Sequence, residues 1–163
     1  MRNKEAEKLF NLAYTDAMTG VYNRAAYEEK VAKLRKSNAR LNNIMIVIAE
    51  VSNIENIKDT FGNRMYEDAV KSLASCLTRT VGAKADIYRV NENEFICIAE
   101  RDILSYISEL RDLVSFENRE KIYPFSVSLG YSLFNSKKQK TVDDLLIYCD
   151  KKLNEAKNRK AVK

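Results

Sequence analysis

Ile44-Met45-Ile46-Val47-Ile48-Ala49 is an unbroken apolar run that ends in Glu50. Such a run, closed by a carboxylate, suits a central strand covered on both faces rather than an edge strand with one wet side. It is the longest apolar run in the chain and falls far short of the ~20 residues needed to span a bilayer.

Working outward, residues 5–14 read as a short leading helix, and Asn23 caps a second helix running to about Arg40 with Tyr27, Val31 and Leu34 on one face. Beyond the run, Met65, Ala69, Val70, Leu73, Cys76 and Leu77 recur at helical spacing. Residues 87–90 and 95–99 are short strands around Asn91-Glu92-Asn93-Glu94, a hairpin turn without glycine. Ile103, Leu104, Ile107, Leu110 and Val114 form another amphipathic helix. Phe125, Val127, Leu129, Tyr131 and Leu133 then alternate with Ser126, Ser128, Gly130 and Ser132, a period-two strand with one small-residue face. Thr141 with Asp144 three residues on opens a last helix, striped by Val142, Leu145, Leu146, Cys149, Leu153 and Ala156. Without its two leading helices the order is β-α-β-β-α-β-α. That predicts an α/β chain of the α+β kind: a ferredoxin-like core whose mainly antiparallel central sheet is flanked by helices. The expected organisation is a leading helix over 1–15, one domain over 16–160 and a basic tail over 161–163.

The length of 163 residues suits one domain, and 45% hydrophobic with 31% charged residues is ordinary for a folded one. There is no histidine, which removes His-based triads, bases and metal ligands. Cys76, Cys97 and Cys149 are far apart, each on an apolar face, and are expected as buried thiols in a reducing compartment. The charged N-terminus shows no secretory leader. The net charge of +5 belongs to residues 151–163, where six basic residues stand against Glu155 alone. A basic tail on a neutral body is expected to solvate a helix end, and no nucleic-acid partner is expected.

Asp16-Ala-Met-Thr-Gly-Val-Tyr-Asn-Arg24 resembles the D-x-L-T-G-L-x-N-R signature that opens GGDEF domains, the diguanylate cyclases that join two GTP into cyclic di-GMP. The segment 48–62 is similar to the family's D-x-D-x-F-K-x-x-N-D-x-x-G, and Arg89-Val-Asn-Glu-Asn-Glu-Phe95 stands where R-x-G-G-D-E-F belongs. Val127-Ser-Leu-Gly130 and residues 149–157 resemble the family's S-x-G strand and its last helix. The resemblance implies a cyclase-palm version of the core, a signalling role, a cytoplasmic location (with or without a membrane anchor elsewhere), GTP as a ligand, attached sensor or output domains, and a homodimer.

It also implies roles, and here the residues depart from the pattern. The family holds Mg²⁺ between a first-strand carboxylate and the third hairpin residue; these are Glu50 and Asn93, so weak Mg²⁺ binding is expected. Glu94 keeps its place and Phe95 closes the motif, while Asn91 and Glu92 replace two glycines. Asn91 is expected to tolerate positive φ, and Glu92 sets an anion where a triphosphate would lie. The bland alternative is a solvated hairpin. The guanine-reading positions are Lys58 and Glu67; lysine cannot mimic an amide, and the two are expected to form an ion pair. The lysine of the family's F-K pair is Glu55 here. Lys157 keeps a phosphate-gripping lysine, with Arg159 in place of the arginine expected at 161. The implied function is a degenerate GGDEF module, silent in catalysis, that binds nucleotide as a regulator or dimerises; the alternative is a residual diguanylate cyclase.

Overall fold

In the strand β1 (Met45–Val51), alternate side chains go to opposite faces, and each face has its own apolar layer. Met45, Val47, Ala49 and Val51 join one buried cluster; Ile46 and Ile48 join the other, with Ile44 just ahead of them. The apolar run is therefore continuous because both faces are covered. The computed structural model describes residues 3–161, the side chains of 38–40 and 161 excepted.

Around β1 the chain runs α1 (Lys4–Tyr14), α2 (Arg24–Arg35), a 3-10 turn (Asn38–Asn43), β1, α3 (Ile54–Phe61), α4 (Asn63–Val81), β2 (Ala85–Arg89), β3 (Glu94–Ala99), α5 (Ser105–Asn118), β4 (Val127–Leu133) and α6 (Val142–Ala161). The sheet order is β2-β3-β1-β4, every pair antiparallel. Residues of α3, α4 and α5 pack on one face, and those of α2 and α6 on the other. The expected α+β core is present. Cys76, Cys97 and Cys149 are buried and free, and burial pushes their thiols up, Cys76 to about 11 and the other two to about 12.

Local chemistry sets the boundaries. Asn23 Oδ1 accepts the Ala26 amide at 3.0 Å and so caps α2. Thr141 Oγ1 accepts the Asp144 amide at 3.1 Å, while Asp144 Oδ2 accepts the Thr141 amide at the same distance, a reciprocal capping box. Two expectations are corrected. The second helix stops at Arg35 rather than near Arg40, because Ser37 and Asn38 favour turn conformations over a continuing helix. Two helices, not one, separate β1 from β2, because Gly62 takes φ +86° and breaks the path.

The small-residue face of β4 is where α6 lies down. A Cβ built on Gly130 would sit 2.1 Å from the Cys149 carbonyl oxygen and 2.4 Å from the Leu153 nitrogen, both main-chain atoms. Gly130→Val is expected to lower unfolding free energy in urea by about 3 kcal/mol, the upper end for overpacking a tight core, since backbone must move. A loss under about 0.5 kcal/mol, within the range of a surface substitution, would show that α6 can lift without cost.

Candidate functional site at the β2–β3 hairpin

The site is built where β1 ends and the hairpin turns. Glu50 is opposite Glu94 in β3 and Ser128 in β4. Because Glu50 continues the alternation of Ile46 and Ile48, it lies on the α6 side of the sheet. There Lys157 Nζ is 2.9 Å from Glu50 Oε2, and the carboxylate is only 13% exposed. The pair is one of charge contact: Oε2 is buried and has no aligned hydrogen-bond donor. Glu94 is half-buried nearby. Burial raises its carboxyl, and the charges of Glu50 and Asp150 add to the rise against Lys157 and Arg24.

Five groups of the chain hold the hairpin. Arg89 Nη1 lies 3.2 Å from Asp16 Oδ1, and its Nη2 donates to the Glu92 carbonyl at 2.7 Å and to Tyr66 Oη at 3.3 Å. Arg24 Nη1 donates to the Val90 carbonyl at 2.8 Å and to Asn91 Oδ1 at 3.3 Å. Asn93 Nδ2 donates to the Val51 carbonyl at 2.8 Å, and the Val51 amide to the Asn93 carbonyl at 3.0 Å. Lys58 Nζ pairs with Glu92 Oε1 at 3.2 Å and lies 5.3 Å from the centre of the Tyr66 ring. The hydrogen bond from Lys58 holds the Glu92 carboxyl below its ordinary value.

Four site expectations change. Lys58 does not pair with Glu67. Tyr66 takes the place beside Lys58, and the next residue on a helix is turned by about 100°, which carries Glu67 to the exposed face. Asn91 does not use positive φ: among the described residues only Gly20 and Gly62 do, so the turn needs no glycine. The hairpin is not simply solvated, since Asn93 and Glu94 are half-buried while Asn91 and Glu92 are exposed. Arg159 does not join Lys157. Two positions along a helix is a turn of about 200°, and Arg159 lines a groove beside β4 instead. Phe95 is wholly buried in the core.

Sequence reasoning missed the part played by Asp16. Its Oδ2 accepts the Thr19 amide at 3.0 Å and the Thr19 hydroxyl at 2.7 Å, a side-chain-to-backbone turn that an Asp-x-x-Thr spacing signals. Among the described residues no three Asp, Glu or Cys side chains group as a metal cluster would. No described helix is long and apolar enough to cross a membrane.

Comparison with known proteins gives a consistent result. The family described as "Diguanylate cyclase, GGDEF domain" matches residues 13–163. The chain is similar to the coiled-coil and GGDEF region of DgcB from Caulobacter crescentus, crystallised with c-di-GMP, at TM-score 0.79 and 17% identity, covering 95% of this chain and 86% of that one. It is also similar to the FimX GGDEF domain of Pseudomonas aeruginosa, at TM-score 0.75 and 14% identity, covering 90% and 94%. A sequence relative, the uncharacterised protein YtrP of Bacillus subtilis, is 22% identical over 153 residues. That match spans 93% of this chain but only 26% of YtrP.

The environment of Glu94 has a consequence for pH. A carboxyl raised in the folded state contributes stability below the ordinary glutamate pKa of ~4.3, and that contribution is lost as pH rises through the folded value. Glu94→Gln, which cannot ionise, is therefore expected to gain on the native chain in unfolding free energy between pH 4 and pH 7. Urea titrations at both pH values read the difference; a gap that stays constant or closes would mean that the ionised side chain is not destabilised.

Proposed function

Because this chain belongs to the diguanylate cyclase GGDEF domain family, we propose that it is a catalytically silent member of it, a module of a cyclic di-GMP signalling protein that regulates by dimerising. One observation supports the reading: three of the oxygen groups around the hairpin are met by nitrogens of the chain itself, with Glu94 left without such a partner among the described residues. Glu50 has the Lys157 ammonium, Glu92 has Lys58, and the Val51 carbonyl has the Asn93 amide.

The residues present do not fit Mg²⁺. A hard divalent cation takes oxygen ligands and gains most from carboxylates. Here Asn93 turns its nitrogen toward Val51, and Glu50 already shares its charge with an ammonium. Two lysines that could meet phosphates are engaged by carboxylates, and Glu67 faces solvent. Losing a single charge-stabilising donor costs on the order of a hundredfold or more in rate, and several are lost together.

The dimerising part of the reading draws on α1. It buries no side chain, and Leu9 and Leu12 are 63% and 71% exposed. A helix of 11 residues is marginal by itself and gains from a partner against its apolar side chains.

Calorimetry with GTP and Mg²⁺ at millimolar concentrations is expected to give no binding heat, and chromatography of the incubated mixture no cyclic di-GMP. Cyclic di-GMP in the mixture would overturn the silent reading, and binding heat without product would make nucleotide binding, in place of dimerisation, the way the silent module regulates. Light scattering tests the other half. The chain is expected at dimer mass at high concentration, and Leu9→Glu with Leu12→Glu is expected to shift it at least tenfold toward monomer. A native chain that stays monomeric at every concentration would remove dimerisation from the proposal.

A further inference from the structure

The two edges of the sheet are treated differently. At β2 the edge is met by Tyr22, whose amide donates to the Ile87 carbonyl at 3.0 Å and whose carbonyl accepts the Arg89 amide at 2.8 Å. At β4 no strand lies alongside among the described residues. The Ser126 carbonyl accepts from Ser52, and the Phe134 amide donates to Ile44, so the even-numbered residues of this stretch face β1. Leu129 and Tyr131 therefore direct their N–H and C=O groups outward.

That edge is flanked by positive charge on both sides. A groove of about 530 Å³ runs along it, and a second of about 350 Å³ shares Arg111, Val127, Leu129 and Lys160 with the first. Arg111 comes from α5, over one face of the sheet. Lys152, Arg159 and Lys160 come from α6, over the other. Among the described residues no carboxylate lines either groove. Lys152 reaches Glu155 at 3.2 Å, and the Lys160 ammonium bonds the Val127 carbonyl. Burial, with the charge of Arg111 nearby, lowers the Lys160 pKa. Three of the basic residues of the tail region are thus gathered at a sheet edge rather than spread over a helix end.

We propose that the open edge of β4 binds an acidic extended segment of a partner protein, which pairs as an added strand with Leu129 and Tyr131 while its carboxylates meet Arg111 on one face and the α6 cations on the other. Main-chain pairing supplies affinity in this mode of recognition and the flanking side chains supply selectivity. Side chains of an added strand point alternately to both faces, and here both faces offer cations. Close charge pairs at the rim also steer encounter and fix register.

The test uses the 163-residue chain and a blocked ten-residue peptide of glutamates interspersed with valine and threonine. Nitrogen-resolved amide spectra follow Leu129 and Tyr131, and fluorescence anisotropy follows affinity. Both amides are expected to shift. Methylating alternate peptide amide nitrogens is expected to weaken binding at least tenfold, and so is Arg111→Glu with Arg159→Glu. Both arginines are exposed, so circular dichroism should show that variant as folded as the native chain. The proposal is overturned by any of three results: no binding at millimolar peptide; equal binding of the methylated peptide and of short polyphosphate with the two amides unmoved, which is plain polyanion attraction; or shifts of both amides with protein concentration alone, which would give the edge to a second copy.

Discussion

The Arg89 guanidinium joins three parts of the chain that are remote in sequence: the Asp16 turn ahead of α2, Tyr66 on α4, and the main chain of the hairpin at Glu92. The pair with Asp16 is largely enclosed, the two side chains 15% and 18% exposed. Removing charges from water costs several kcal/mol each, and the cost is offset only where geometry satisfies the groups. Arg89 Nε is left buried without an acceptor, so the contacts of the two terminal nitrogens carry the whole compensation. The hairpin backbone is held from outside by Arg89 and Arg24 and from within by the Asn93 amide on the Val51 carbonyl. Asn-Glu-Asn-Glu makes its turn under these contacts with no positive φ.

Two ion pairs flank the hairpin: Glu92 with Lys58, and Glu50 with Lys157. Exposed pairs such as Lys58–Glu92 contribute only ~0–1 kcal/mol, so stability does not explain them. Their effect is on the field at the hairpin. Lys58 and Lys157, the two lysines there that could attract a phosphate, are each met by a carboxylate within 3.2 Å, and the Asn93 amide occupies the Val51 carbonyl in the same way.

Much of this architecture was readable from residue order. The apolar run of β1, the alternation of β4 and the Thr141–Asp144 box each rest on interactions within a few residues or on a simple period, and each is found. What could not be read depends on where an element points after a break. Gly62 redirects the chain, Tyr66 then fills the space beside Lys58, and Glu67 is carried away from it; no spacing rule contains that rotation. The end of α2 at Arg35 is not marked in the sequence, because Ser37 and Asn38 are only weak stop signals. Asn93 and Glu94 were counted with the solvated turn because their burial comes from β1 and α6, which lie 40 or more residues away.

The last helix shows how one periodicity serves two surfaces. Cys149 lies near the centre of its buried stripe, with Leu145 and Leu153 about 40° to either side. At about 100° per residue, Asp150 and Lys157 fall on one side of that stripe and Lys152 and Arg159 on the other, with Ala156 and Lys160 continuing its line beyond Leu153. The first side meets the hairpin, where Lys157 reaches Glu50 and the charge of Asp150 bears on Glu94. The second meets the outer edge of β4. A count of charge along the tail cannot separate these groups, since they alternate within ten residues. Folded onto Gly130 at van der Waals distance, the helix sorts them: one lysine meets Glu50 at the hairpin, and three cations stand at a strand edge that has no neighbour among the described residues. The closeness that only glycine permits at 130 is thus what brings both sets of charges to the sheet.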